Sequence, residues 1–129
     1  MDKIIVALFV AVAFFNIIRR RSILSNKSVK NLSPEEAHKL INENKDVIIL
    51  DVRTKEEFSS GHMPEAKSFP MHEILSRIDE LESFKDKPIL VYCASGGRSP
   101  IAIKHLLKNN FTNIYHLNKG ISAWKYPLE

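Results

Sequence analysis

Two unbroken apolar runs, Val47-Ile48-Ile49-Leu50 and Pro88-Ile89-Leu90-Val91-Tyr92, constrain this chain more than any other feature. Each has the length of a strand, and neither alternates with polar residues as a strand with one wet face would. Both therefore read as strands covered on both faces. Helix signals lie around them. Ser33-Pro34-Glu35-Glu36 supplies a capping serine, a proline at the first helical position and a glutamate three residues after the cap, and a helix to about Asn44 follows. Thr54 and Glu57 repeat that spacing and open a short helix that Gly61 ends. Ala66 to Phe69 reads as a short strand, after which Met71, Ile74, Leu75, Ile78 and Leu81 share one helical face. Ile101, Ala102, Ile103, Leu106 and Leu107 give a further helix, Asn113 to Leu117 a strand, and Ile121 to Lys125 a short closing helix. Strands alternating with helices predict an α/β fold: a parallel sheet with right-handed crossovers and helices on both faces.

At 129 residues the chain has room for one such domain, and its stability must come from a packed core. A single Cys cannot close an internal disulfide, and His38, His72, His105 and His116 show no metal-ligand spacing, so no metal is expected. The net charge of +4 resolves into +3 over residues 1 to 25 (Lys3, Arg19, Arg20 and Arg21 against Asp2) and +1 over the remainder. A nearly neutral body offers no phosphate-tracking groove, which argues against nucleic acid as a partner.

The positive end follows Ile4 to Ile18, fifteen residues whose only polar member is Asn16. No face of that helix is polar, so it is not a surface helix: it sits in lipid, is removed as a signal peptide or is buried in protein. The charges come after the apolar run, and the only Ala-x-Ala, Ala11 to Ala13, lies inside it, so a cleaved secretory signal fits poorly. The expectation is an N-terminal transmembrane segment over residues 1–21, a tether over 22–31 and a folded domain over 32–129. By the positive-inside rule the N-terminus would lie outside and the domain would be cytoplasmic, on a single-pass membrane protein anchored through residues 4–18.

In an open α/β sheet ligands bind beyond the carboxyl ends of the strands, and Cys93 is the first residue past the strand ending at Tyr92. Ala94, Ser95, Gly96, Gly97, Arg98 and Ser99 follow, then a helix with Pro100 in its first turn. Small residues and two glycines let successive amides point inward as an anion nest at a helix N-terminus. Those amides, the helix dipole and a guanidinium favour a thiolate, which is the nucleophilic form.

With DVRTKEEFSSGHMPEA from Asp51 to Ala66, CASGGRS from Cys93 to Ser99 and GISAW from Gly120 to Trp124, the chain resembles the rhodanese family over roughly residues 32 to 127. The resemblance implies a parallel sheet of about five strands flanked by helices, here preceded by the hydrophobic N-terminal helix. It also implies a Cys that accepts a sulfane sulfur as a persulfide and passes it on, with no cofactor. By position, Cys93 would carry the sulfur, the amides of Ala94 to Arg98 would hold it, and Arg98 would close the loop. Ala94, Ser95, Gly96, Gly97 and Ser99 are the substrate-binding candidates. Asp51 either orients Arg98 or accepts from the loop amides, or pairs with Arg53 as scaffold. His62 reads as a structural residue of its turn, and Trp124 as packing. Glu65 and Lys119 stand where the family usually has glycine, and Glu65 questions the left-handed turn there.

Four residues separate Cys93 from Arg98, whereas phosphatases with the same thiolate logic place five. The shorter ring suits one terminal sulfur better than a phosphoryl group. The expected function is sulfur transfer from thiosulfate or a persulfide, small-molecule or protein-borne, to a thiol or cyanide-like acceptor. A sulfur-binding or redox-sensing module at the membrane, without appreciable turnover, is the alternative.

Overall fold

A computed structural model describes residues 2–24 and 26–129. Met1, in the expected N-terminal segment, and Ser25, in the expected tether, lie outside the described residues, as do the side chains of Arg20, Ser22 and Leu24. The chain runs α1 (Lys3–Leu24), β1 (Val29–Leu32), α2 (Pro34–Glu43), β2 (Ile48–Asp51), α3 (Lys55–Ser59), β3 (Lys67–Ser68), β4 (Ile89–Tyr92), α4 (Ser99–Lys108) and β5 (Ile114–Leu117), with three-residue-per-turn segments at Met71–Glu73, Ile78–Phe84 and Ile121–Ala123. The five strands form one parallel sheet in the order β1-β5-β4-β2-β3.

Both capping boxes form. Ser33 and Glu36 exchange side-chain and backbone hydrogen bonds at the start of α2, and Thr54 and Glu57 do so at α3, satisfying amides that have no partner inside the helix. The two-residue strand period then sorts the core into two layers. Ile89, Val91 and Cys93 face α4, packing with Val29, Leu50, Ala102, Ile103, Leu106 and Ile114. Leu90 and Tyr92 face the other way, toward Ala37 of α2, Ile49, Met63 and Leu117, with Trp124 packed against that layer. The buried strand β4 thus ends by directing the Cys93 side chain under the first turn of α4.

Three sequence expectations change. The residues read as a tether are partly ordered elements: α1 continues to Leu24, and Val29–Leu32 is β1, an edge strand paired with β5. Its VKNL sequence lacks the apolar run that marked the buried strands. The face expected to be helical over Met71 to Leu81 is two short tighter turns, and Leu75 is 54% exposed. At Glu65 the backbone keeps the left-handed conformation that the family glycine would allow, with φ 64°. Glu65 carries it at a cost of about 1–2 kcal/mol.

A further correction concerns the membrane. No helix among the described residues is long and apolar enough to cross one. The fifteen-residue apolar run is embedded in α1, whose 22 residues extend through the arginines, so any eighteen consecutive residues of it include three basic side chains. The single-pass segment, the anchoring role of residues 4–18 and the outside-in orientation fall with that finding. α1 instead runs beside α4, with Ile23 packed against the core layer beneath α4.

Candidate active site

Cys93 follows β4 and is 1% exposed. Gly96 takes φ +95°, a value open to glycine, and the turn it makes brings its own amide back to donate to Cys93 Sγ at 3.1 Å. The amides of Arg98 and Ser99, at the N-terminus of α4, also act on the sulfur. Burial pushes the thiol pKa up, but hydrogen bonds from the Ser99 hydroxyl and from the amides of Ser99, Arg98 and Gly96 outweigh it, so the net displacement is below the ordinary thiol value. Ser95 and Gly97 are exposed at the rim of the loop, and Ala94 is half-buried.

The loop is braced from behind. Ile121 N–H donates to the Cys93 carbonyl at 2.9 Å and Ser122 N–H to the Ala94 carbonyl at 3.0 Å. Gly120 makes this approach possible, since a Cβ there would sit 2.5 Å from the backbone of Cys93 and Ala94 and its φ is +67°.

Arg98 does not reach for the sulfur with its side chain. Its guanidinium grips Glu57 of α3 in two hydrogen bonds, 2.6 and 2.9 Å. Asp51 makes its ion pair with Arg53 (2.7 Å) and also accepts the Arg53 amide, while Arg53 Nη2 reaches the Gly61 carbonyl at 2.7 Å. Of the two roles open for Asp51, its hydrogen bonds fit the scaffold contact beside the Cys93 loop. The His62 ring stacks on Phe58 and hydrogen-bonds its carbonyl at 3.0 Å.

Glu57 was not singled out in the sequence beyond its capping position, yet it joins α3 to the loop. The Arg98 guanidinium holds its carboxyl well below the usual range, at about 2. A depressed carboxylate contributes stability fully above its unfolded value near 4.5 and loses it as pH falls toward 2. Glu57→Gln is therefore expected to melt below the native chain at neutral pH, with the gap narrowing below about pH 4.5 and closing near pH 2. Thermal melts of both proteins across that range check it; a gap independent of pH would mean that Glu57 acts through packing alone.

Beyond Ser99, a candidate already, the site holds two residues that the sequence does not mark, His116 and Asn31. Ser99 Oγ lies 3.3 Å from Cys93 Sγ and 2.5 Å from His116 Nε2 of β5, and His116 Nδ1 lies 2.9 Å from Asn31 Oδ1 of β1. His116 has no metal-ligand spacing in the sequence. The signal available was a histidine facing the same side as Ile114 inside the apolar strand IYHL, where burial demands hydrogen-bond partners. Among the described residues, no cluster of three or more His, Cys, Asp or Glu could hold a metal.

Comparison with known proteins bears on the same loop-bearing domain. Residues 33–126 match the rhodanese-like domain family. A protein named sulfurtransferase from Allochromatium vinosum is 33% identical over 96 residues, covering 74% of this chain and 88% of that protein. The thiosulfate sulfurtransferase GlpE of Pseudomonas syringae is 31% identical over 102 residues, 78% of this chain and 92% of its own. The crystal structure of a rhodanese-like domain protein from Staphylococcus aureus superposes with a TM-score of 0.67 at 35% identity, covering 78% of this chain and 96% of that one.

Proposed function

Because this chain belongs to the rhodanese-like domain family, whose relatives include proteins named sulfurtransferases, we propose that it moves a sulfane sulfur from donor to acceptor on Cys93. The observation that carries the reading is a buried sulfur with a depressed pKa, held by the Gly96 amide and the Ser99 hydroxyl at the N-terminus of α4. In the first half-reaction the Cys93 thiolate attacks the outer sulfur of the donor. A Cys93–sulfur bond forms, the donor's S–S bond breaks, and its electron pair leaves as sulfite from thiosulfate or as a thiolate from a persulfide. In the second, the acceptor attacks the outer sulfur and the electron pair returns to Cys93 Sγ. The amides that stabilise the thiolate also stabilise the terminal persulfide anion.

The state of Arg98 bears on the donor. It is the sole basic side chain from Cys93 to Ser99, and Glu57 already neutralises it. A singly charged persulfide suits so weak a positive field better than a doubly charged thiosulfate. The four-residue spacing between Cys93 and Arg98 favours a single sulfur over a phosphoryl group.

Steady-state assays with thiosulfate or a low-molecular-weight persulfide as donor, and cyanide or a thiol as acceptor, test the reading. Repeated turnover is expected, faster with the persulfide, and intact-mass analysis should show the protein gaining one sulfur from donor alone and losing it to acceptor. Loading without turnover would leave a sulfur-binding module, and aryl-phosphate hydrolysis dependent on Cys93 would sink the assignment.

A further inference from the structure

Behind Cys93 runs a line of polar groups, buried as far as His116 and ending at the exposed Asn31, that an amide nest alone does not require. Cys93 is 1% exposed, and Ser99 and His116 are fully buried. The sheet register sets Asn31 beside His116 and His116 beside Val91, and the strand period turns all of these with Cys93 toward α4. Ser99 bridges the gap, 3.3 Å from the sulfur and 2.5 Å from His116 Nε2. Burying a serine and a histidine side by side in an apolar layer is costly unless each proton has a taker, so the polarity of the line matters.

That polarity follows from its far end. The Asn31 carbonyl oxygen can only accept, so it takes the proton on His116 Nδ1, leaving Nε2 as an acceptor. The Ser99 hydroxyl then donates to Nε2, and its oxygen is free to accept from the Cys93 S–H. The line can be run the other way without moving a heavy atom: Nε2 protonated and donating to Ser99, and Ser99 donating to a Cys93 thiolate. Both arrangements satisfy every group.

We propose that His116 is the proton store of Cys93, reached through the Ser99 hydroxyl and held in its working tautomer by Asn31. The assignment rests on Cys93 being the reacting sulfur. When Cys93 ionises, its proton goes to the Ser99 oxygen as Ser99 passes its own to Nε2, so thiol and imidazole become thiolate and imidazolium at constant net charge. The thiolate then takes the sulfane sulfur as described above. When the acceptor breaks the sulfur–Cys93 bond, the electron pair returns to Cys93 Sγ and the imidazolium returns the proton through Ser99. No oxidant or reductant enters. His116 is thus a positioning residue that never touches substrate.

Among the described residues, the charged side chains on the elements around the line lie off it. On β1, Lys30 turns to the opposite face and lies over Tyr115. On α4, Lys104, His105 and Lys108 lie beyond the first turn, with Arg19 of α1 acting on Lys104, and Arg98 is matched by Glu57. β4 carries no charged side chain.

The test is the pH dependence of Cys93 alkylation by iodoacetamide in the full chain, which reads the thiolate whether or not sulfur is transferred. His116→Gln offers Ser99 a partner that cannot hold a proton. Its alkylation midpoint is expected to rise by about a unit and its sulfur turnover to fall on the order of 100-fold. Ser99→Ala should do the same by cutting the line with His116 intact, and Ser99→Thr, which restores a hydroxyl, should recover the native profile. An alkylation profile unchanged in Ser99→Ala overturns the proposal, even if His116→Gln fails to fold. Shifted profiles in a protein that transfers no sulfur would support the proton store and overturn the sulfurtransferase reading alone.

Discussion

Cys93→Ser is expected to lose at least about 10³-fold in sulfur transfer, and to gain no sulfur from any donor, while folding as the native chain does. The loss follows from chemistry: a serine hydroxyl is not ionised by the amides and helix dipole that suffice for a thiol, and it forms no persulfide. Retention of the fold follows from the surroundings. The substitution shortens one bond at a site 1% exposed, and the new oxygen finds the Gly96 amide and the Ser99 hydroxyl as ready partners. A melting temperature within a few degrees of the native one, together with turnover and intact-mass measurements, checks both halves. Native-level turnover would remove Cys93 from the mechanism.

Gly120→Ala is expected to damage the folded domain severely for the addition of a single methyl group. The new Cβ would stand 2.5 Å from the carbonyl carbon and oxygen of Ala94 and from the Cys93 oxygen, all backbone atoms with no rotamer to yield. Left-handed φ at a non-glycine adds about 1–2 kcal/mol, and overpacking about 1–3 kcal/mol more. Relief requires the closing segment to retreat, which breaks the hydrogen bonds from Ile121 to Cys93 and from Ser122 to Ala94. A melting point lower by roughly 10 °C or more is expected, with sulfur transfer falling further than the fraction folded because the loop itself is displaced. Gly97→Ala is the control: a Cβ at Gly97 meets nothing within 4 Å, so the domain should melt normally. If Gly120→Ala melts and reacts like the native chain, the closing segment does not brace the loop.

What the sequence revealed was what it encodes locally. Each capping box is written within four residues, and the buried strands β2 and β4 announce themselves by apolar runs, so both survive translation into structure. The loop from Cys93 to Ser99 is contiguous, and its place at a strand end could be read directly. Contacts between distant residues were hidden. Glu57 and Arg98 are 41 positions apart, and His116 and Asn31 are 85 apart. Edge strand β1 carries no such apolar run: VKNL buries Val29 alone and leaves Lys30 and Asn31 exposed. The segment from Met71 to Phe84 has helical spacing, but it winds more tightly than an α-helix and leaves Leu75 outside. The apolar N-terminal run suggested lipid until α1 was seen to carry it into the arginines.

The place of Asn31 has a topological consequence. The three links from Cys93 to Ser99, from Ser99 to His116 and from His116 to Asn31 close loops of 6, 17 and 85 residues. Closure entropy grows with the logarithm of loop length, so the last link is the most expensive to bring together, and it forms only when the first strand docks against the last. The family match begins at residue 33, two positions beyond Asn31. A fragment cut at that boundary would keep the sulfur and its nest but lose the residue that fixes the imidazole tautomer, along with the sheet edge that carries it.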